Sequence, residues 1–307
     1  VGEGGVKFTE DRKWSDHVLD YYPVNPRPRF GHGLPPHAAI ASVLEAARPA
    51  YEQPLRDIAA CRDVLHGIGH QPQRRNRSDP SPTWNNIWFS TLDAASLTAF
   101  LLARQPKRYL EIGSGNSTRF ARHAIETGRL PTELISIDPQ PRAEIDALCS
   151  RVVRRPLESC NLGVFGELES GDILFFDGSH RVFTNSDVTV FFLEIMPLLK
   201  PGVLVHIHDI FLPDDYPPQW KGRLYSEQYL LAAQLLCPRP PFAIVLPNYF
   251  ATCDAELGAR IGDMFRAKNG GTDIPLRYQN PARCPGTSFW IETERAREGK
   301  AKKAVLF

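Results

Sequence analysis

The rhythm of apolar and polar positions in this 307-residue chain changes near residue 91. Beyond it, short apolar, β-branched runs alternate with stretches whose apolar residues recur at helical spacing. That alternation is the pattern of a parallel sheet covered by helices on both faces. The runs predict seven strands: Arg108–Ile112, Leu134–Asp138, Arg151–Arg155, Asp172–Asp177, Gly202–Asp209, Phe242–Asn248 and Ser288–Thr293. The helical stretches between them are Leu92–Arg104, Thr118–Thr127, Arg142–Ser150, Ser186–Leu199 and Ser226–Leu236. If the seventh strand runs antiparallel beside the sixth, no crossover helix is needed there. Residues 250–287, with a helical pattern at 254–267, then read as an insertion.

Residues 1–90 carry punctuation instead of period: P-V-N-P-R-P-R at 23–29, L-P-P at 34–36 and Q-P-Q-R-R-N-R-S-D-P-S-P at 71–82. Loops dominate such stretches. Two short helices fit between them, marked by Ile40, Val43, Leu44 and Ala47 and by Leu55, Ile58 and Ala59. The expectation is an N-terminal helical and loop appendage on a domain at 91–307, acting either as a lid or as a contact in a homo-oligomer.

Lys plus Arg (36) nearly balance Asp plus Glu (35), a formal charge of +1. No global attraction to nucleic acid or to an anionic membrane follows from that balance. The 42% hydrophobic and 23% charged content excludes whole-chain disorder, and the 27 prolines belong in connections. The most apolar stretch, 188–207, is interrupted by Glu194, Pro197, Lys200 and His206, so it does not predict a membrane span. Val1–Val6 is Gly-rich and precedes charged residues, without the apolar core of a signal peptide. A soluble, cytoplasmic protein with a small-molecule partner, and neither nucleic acid nor membrane, is the expectation. The six cysteines form no C-x-x-C pair and read as reduced thiols, and the charged run at 292–303 reads as a solvated end.

The chemistry begins at Y-L-E-I-G-S-G-N-S-T, 109–118, a buried strand running into a glycine turn and a helix. Gly113 and Gly115 allow a sharp turn and a close approach of ligand to backbone. Asp138 ends the next predicted strand, where a carboxylate can accept hydrogen bonds from both hydroxyls of an adenosine ribose. Together they point to an adenosine-type cofactor. A nicotinamide fingerprint wants a third glycine, but that position is Thr118.

These stretches resemble the class I S-adenosylmethionine-dependent methyltransferases, through E-x-G-S-G-x-S-T, an acidic end of strand two and an antiparallel seventh strand. Within that superfamily the chain is similar to the bacterial methyltransferase 24 group, related to catechol and macrolide-sugar O-methyltransferases. D-I-L-F-F-D-G-S-H at 172–180 and G-V-L-V-H-I-H-D-I-F-L-P-D-D-Y-P at 202–217 carry this closer likeness, over roughly residues 90–249. The resemblance implies an α/β fold with a doubly wound, seven-stranded, mostly parallel sheet and an antiparallel last strand, the Rossmann-like methyltransferase fold. S-adenosylmethionine would be the cofactor, with Glu111, Gly113 and Gly115 around its methionine part and Asp138 on its ribose. Ser114 and Ser117 supply hydrogen bonds to the same ligand, Leu157 packs on the base with Glu158 near its amino group, and Asp177 is counted with the cofactor residues.

The methyl acceptor belongs above the carboxyl ends of strands four and five, where Asp177, His180, His208 and Asp209 converge. Metal-dependent O-methyltransferases of similar fold place acidic ligands there, and Asp177 and Asp209 match. His208 stands where Glu is common and Ile210 where Asn is expected. Imidazole suits Zn, Fe or Mn better than Mg. A divalent metal on Asp177, His208 and Asp209 is therefore one route to activating the acceptor. The other is a general base, His180 or His208, with Asp209 beside it. His206, two residues before His208 on the same face, reads as structural. Tyr225 and Glu227, in L-Y-S-E-Q-Y-L-L, and Trp88, in W-N-N-I-W-F, are expected to line the acceptor pocket. P-D-D-Y-P-P-Q-W at 213–220 is a proline-braced loop at the same edge.

The function expected is methyl transfer from S-adenosylmethionine to a small-molecule or natural-product acceptor, with oxygen favoured as nucleophile. The alternatives are N-methylation of a small molecule or peptide, a nicotinamide oxidoreductase, and a non-catalytic cofactor-binding module. Methylation of nucleic-acid bases is disfavoured by the neutral charge and the lack of an Asn/Asp-Pro-Pro-Tyr/Phe motif; D-D-Y-P at 214–217 is not one.

Overall fold

A computed structural model of the chain describes residues 27–70, 80–86, 88–141, 143–267, 271–276 and 285–294. The Gly-rich start, most of the 71–82 run, Cys284 and the charged end from 295 onward lie outside the described residues.

The strands form where apolar residues face both sides of the sheet: β1 (Arg108–Ile112), β2 (Glu133–Ile137), β3 (Arg151–Val153), β4 (Ile173–Phe176), β5 (Leu204–Ile207), β6 (Phe242–Pro247) and β7 (Phe289–Thr293). They make one seven-stranded sheet in the order β3-β2-β1-β4-β5-β7-β6. The first five pair parallel, while β7 lies antiparallel between β5 and β6. β1 therefore has β2 on one side and β4 on the other. The connections leave that point in opposite directions, which opens a crevice at the carboxyl ends of the strands.

Alternate residues feed two cores. On one face Tyr109, Phe175 and Trp290 pack with Phe100 of α4 (Thr91–Arg104) and Phe120 of α5 (Asn116–Thr127). On the other, Leu110, Ile135 and Phe176 pack with Val188 and Phe191. The helix supplying the latter pair starts as α6 (Asp187–Val190), passes through a π turn at Phe191–Ile195 and ends as α7 (Met196–Leu198). The sequence pattern suggests an uninterrupted helix there, but Pro197 has no N–H for the carbonyl one turn back, and the ladder is irregular just before it.

The predicted helix at 142–150 is absent. Its described part holds a single 3-10 turn, Asp146–Leu148, and among its described positions only Ile145 is buried, so no apolar stripe holds a longer helix to the sheet. His206 is structural, as its face of the strand suggested. Its ring stacks on Phe175 at 3.8 Å, its Nε2 lies 2.6 Å from Ser288 Oγ, and burial keeps it neutral.

The segment before residue 91 shares these cores. It forms α1 (Ala38–Ala46), a 3-10 turn at Arg48–Tyr51, α2 (Glu52–Ala60) and α3 (Arg62–His66). Leu55 and Ile58 are fully buried in the core that holds Leu92 and Phe100. Arg48 pairs with Asp254 at 2.5 Å and Arg260 with Glu52 at 2.6 Å. Those contacts join the segment to α10 (Ala255–Phe265), which follows α9 (Asn248–Cys253) in the 250–287 stretch. Residues 29–32 hold the loop after β5: the Arg29 and Phe30 amides donate to Asp215 Oδ2 at 2.6 and 3.0 Å. The loop is held from the other side by α8 (Glu227–Leu235), where Gln228 Oε1 accepts from the Phe211 amide. Among the described residues no helix is long and apolar enough to cross a membrane.

One buried carboxyl locks the β1–α5 turn. Glu111 accepts from Tyr109 Oη (2.9 Å) and Ser117 Oγ (3.2 Å) through one oxygen, and from Thr118 Oγ1 through the other. Thr118 Oγ1 in turn receives the Gly115 amide at 3.0 Å. Burial pushes the Glu111 carboxyl up to about 7, although its hydroxyl donors pull the other way.

Two outcomes follow for stability. Leu55→Ala should cost about 2–5 kcal/mol in urea unfolding, because the site is fully buried in the shared core; a loss under about 1 kcal/mol would mean that the N-terminal helices are not part of it. A carboxyl raised from its ordinary 4.5 to about 7 binds its proton more tightly in the folded state. Its contribution is greatest below pH 4.5 and is lost as pH rises to about 7. Glu111→Gln should therefore remove a downward slope from the stability–pH curve across that window, whereas identical slopes in both proteins would show that Glu111 ionises freely.

Candidate active site

At the switch point the backbones of three strands meet. Gly113 donates to the Ile137 carbonyl at 3.0 Å, and Asp177 donates to the Ile112 carbonyl at 2.9 Å. Gly113 has φ +80°, and a Cβ there would lie 1.9 Å from the Asp177 carbonyl oxygen, so only glycine fits. A Cβ at Gly115 would meet nothing within 4 Å, leaving the backbone open to the crevice.

The crevice is a cleft of about 1060 Å³. On the β2 side it is bounded by Ile137, Asp138 and Leu157, in the middle by Gly113 to Ser117, and on the β4 side by Asp177, Ser179 and Phe183. Trp88, Phe89 and Arg119 complete the wall. Asp138 is partly exposed and braces the glycine turn: Oδ2 accepts the Ser114 amide at 2.7 Å and Oδ1 the Gln140 amide at 2.8 Å.

Behind the β4 end lies a buried chain of alternating carboxylates and imidazoles. Asp177 Oδ1 lies 3.0 Å from His180 Nε2 and 3.3 Å from His208 Nδ1. The other nitrogen of each ring faces a second carboxylate: His180 Nδ1 is 2.9 Å from Glu227 Oε2, and His208 Nε2 is 3.5 Å from Asp93 Oδ2. Asp209 sits between the rings, 3.7 Å from His180 and 3.9 Å from His208. His180 and Asp209 both hold left-handed backbone, φ +61° and +54°, a strain that the surrounding contacts over-determine.

This pairing sets the charges. Burial alone would lower both imidazoles, but the carboxylates around them raise His180 and His208 well above the ordinary histidine value. Burial likewise opposes ionisation of Asp177, yet the two imidazoles hold it well below the usual carboxylate range. Glu227, fully enclosed, is pushed by burial up to about 7 despite its bond to His180. Asp93, also fully enclosed, stays below the usual range, because His208, Ser90 and the Thr287 amide outweigh its burial.

The residues expected from the sequence thus divide. Gly113, Ser114, Gly115, Ser117, Asp138, Leu157, Asp177 and Trp88 line the cleft. Glu111 does not; it is spent on the hydroxyls of Tyr109, Ser117 and Thr118 beneath the turn. His180, His208 and Asp209 do not line it either, and the two histidines reach it through Asp177. Tyr225 and Glu227 lie further back, Tyr225 with its ring 4.4 Å from that of His180. The loop at 213–220 packs instead of hanging over the cleft, with Trp220 against Phe211 and Asp214 accepting from Tyr249 Oη at 2.7 Å.

Asp93, Arg119 and Phe183 carry no signal in the sequence. Asp93 follows Ser90 by three residues at a helix start and reads there as an ordinary capping acid. As for a divalent metal, the nitrogens of His208 already face Asp177 and Asp209 on one side and Asp93 on the other. Among the described residues no group of three or more His, Cys, Asp or Glu side chains is arranged to hold a metal ion. As placed, these side chains do not fit a metal centre.

Residues 110–210, which run from β1 past Asp209, match the family model of a methyltransferase domain, the methyltransferase 24 family. No curated protein matches the chain. Similar solved structures include an O-methyltransferase of tomaymycin synthesis from Streptomyces achromogenes, in complex with SAM. It is 20% identical, over 52% of this chain and 74% of that one, with a TM-score of 0.35. An SAH-bound methyltransferase from Podospora anserina is 18% identical over 71% and 95% of the two chains, TM-score 0.37. An O-methyltransferase from Bacillus cereus in complex with SAH is 15% identical over 69% and 84%, TM-score 0.34. The match to the methyltransferase 24 family model thus spans β1 to β5 and the turns that border the cleft, about a third of the chain.

Proposed function

We propose that the protein transfers the methyl group of S-adenosylmethionine to a hydroxyl oxygen of a small-molecule acceptor. The observation that carries this reading is the continuity of the cleft. One space joins Asp138 at the end of β2 to Asp177 at the end of β4, across the glycine turn. The Asp138 oxygens each bond one backbone amide and keep a lone pair for a ribose hydroxyl. Leu157 and Ile137 offer apolar surface to a base, and the open backbone at Gly115 admits the methionine part. When bound, the cofactor supplies the electrophilic methyl group. Thr118 fills the position a nicotinamide site needs as glycine, and its hydroxyl is bonded to Gly115 and Glu111, which disfavours the oxidoreductase reading.

The acceptor lies on the β4 side, where Asp177 is the one member of the ionisable chain that lines the cleft. Its carboxylate accepts the hydrogen bond of the acceptor hydroxyl, turns an oxygen lone pair toward the methyl group and takes up the hydroxyl proton as the oxygen is methylated. His180 and His208 hold that carboxylate in place from behind. The histidines thus act through Asp177, not by touching the acceptor themselves. Attack by oxygen on a sulfonium consumes charge, so alignment and exclusion of water by Trp88, Phe89 and Phe183 favour the reaction. An ionised Asp177 also accepts an N–H of a neutral amine and can take its proton as nitrogen is methylated, and N-methylation is the second reading that this observation supports.

Calorimetric titration should give micromolar binding of S-adenosylhomocysteine and no heat with NAD; the reverse would overturn the cofactor assignment. Asp138→Ala should weaken S-adenosylhomocysteine by about 1.5–3 kcal/mol, the worth of charge-assisted hydrogen bonds to the ribose. Unchanged affinity would remove Asp138 from the ribose. Asp177→Asn should lower kcat by about a hundredfold or more while cofactor affinity stays within a few-fold. Undiminished turnover in that variant would place the acceptor elsewhere.

A further inference from the structure

Most charged side chains around the cleft are already engaged. Arg154 bonds Ser136, the Asp138 carbonyl and Asp146, Arg181 donates from Nε to the Arg223 carbonyl, and Asp187 takes the amide and hydroxyl of Ser179. Arg119 differs. It lines the cleft, its Nε is buried without a hydrogen-bond partner, and its guanidinium makes no ion pair or hydrogen bond among the described residues. Desolvating part of a guanidinium with no anion beside it is unfavourable unless a ligand supplies that anion.

Its place narrows what the ligand is. Arg119 stands one turn into α5, three residues after Asn116, so the two share a helix face. Side chains on a helix lean toward its N-terminus, which directs Arg119 back over Asn116 toward the glycine turn. Asn116 Nδ2 donates to Asn86 Oδ1 at 3.3 Å, so this face looks toward the segment carrying Trp88. The acids lining the cleft, Asp138, Glu158, Asp177 and Asp187, suit hydroxyls and cations. S-adenosylmethionine carries a sulfonium, an ammonium and one anionic group, its carboxylate.

We infer that Arg119 is the anchor for the carboxylate of the cofactor's methionine part. The inference rests on the proposed cofactor and adds a residue that orients its reactive end, because a guanidinium fork fixes a planar carboxylate in direction as well as position.

The test compares ligands with and without that carboxylate on the full chain. Wild type and Arg119→Gln are titrated with S-adenosylhomocysteine and with 5′-methylthioadenosine, which lacks the amino-acid part. Arg119→Gln should weaken S-adenosylhomocysteine about tenfold or more and leave 5′-methylthioadenosine within twofold. Arg119→Lys, which keeps the charge but not the fork, should fall between. Equal affinity of wild type and Arg119→Gln for S-adenosylhomocysteine overturns the assignment, and so does an equal loss for both ligands. If wild type binds neither ligand, the cofactor reading itself has failed.

Discussion

The approach of the Gly113 backbone to the Asp177 carbonyl is the constraint on which the site depends. A Cβ would stand 1.9 Å from that oxygen, and the backbone is left-handed there. Because the turn after β1 can press against the end of β4, one cleft runs from Asp138 on the β2 side to Asp177 on the β4 side. The Gly113 and Asp177 amides, bonded to β2 and β1, carry the sheet's ladder one residue beyond the strands and stiffen the middle and the β4 side of the cleft. Glu111 supports the arrangement from below, holding the first turn of α5 through two hydroxyls.

Beyond β4 the main feature is a buried charge network with a single outlet. Two imidazoles converge on Asp177 Oδ1, and each is backed by another carboxylate. Isolated ions in such a place would neutralise themselves. Alternation favours the charged forms of Asp177, His180, His208 and Asp93, and His180 and Asp209 hold left-handed backbone within it. The network reaches well outside the matched segment: Asp93 in α4 also accepts the Ser288 amide at 2.7 Å and Asn248 Nδ2 at 2.7 Å, and so ties the start of β7 and of α9 to His208. Glu227 in α8 does the same from the other side, through His180.

The N-terminal helices belong to this construction. Leu55 and Ile58 complete the core beneath α4, the helix that carries Asp93 and follows Trp88 and Phe89. Residues 29–32 brace the loop after β5 through Asp215, within the same layer that encloses Glu227. Support for the ionisable chain is thus drawn from the whole length of the described chain.

By itself the sequence determined the seven strands, the glycine turn and the acid at the end of β2, while the antiparallel course of the last strand came from the family resemblance. The strands depend on local period and the turn on a backbone conformation that one residue type serves. It also placed His206 in the sheet, because a strand's period of two puts a deeper residue on the same face as His208. Tertiary structure alone decided which polar residues face the cleft. Glu111, His180, His208 and Glu227 carry the composition of an active site, yet Asp177 is the member of their network exposed to the cleft. Asp93 and Arg119, ordinary helix residues in the sequence, acquire their places from a partner 115 positions away in the first case (His208) and from the want of a partner among the described residues in the second. The reason is physical: local period fixes the direction of a side chain on its own element, whereas burial, pairing and charge are set by what the other elements bring against it.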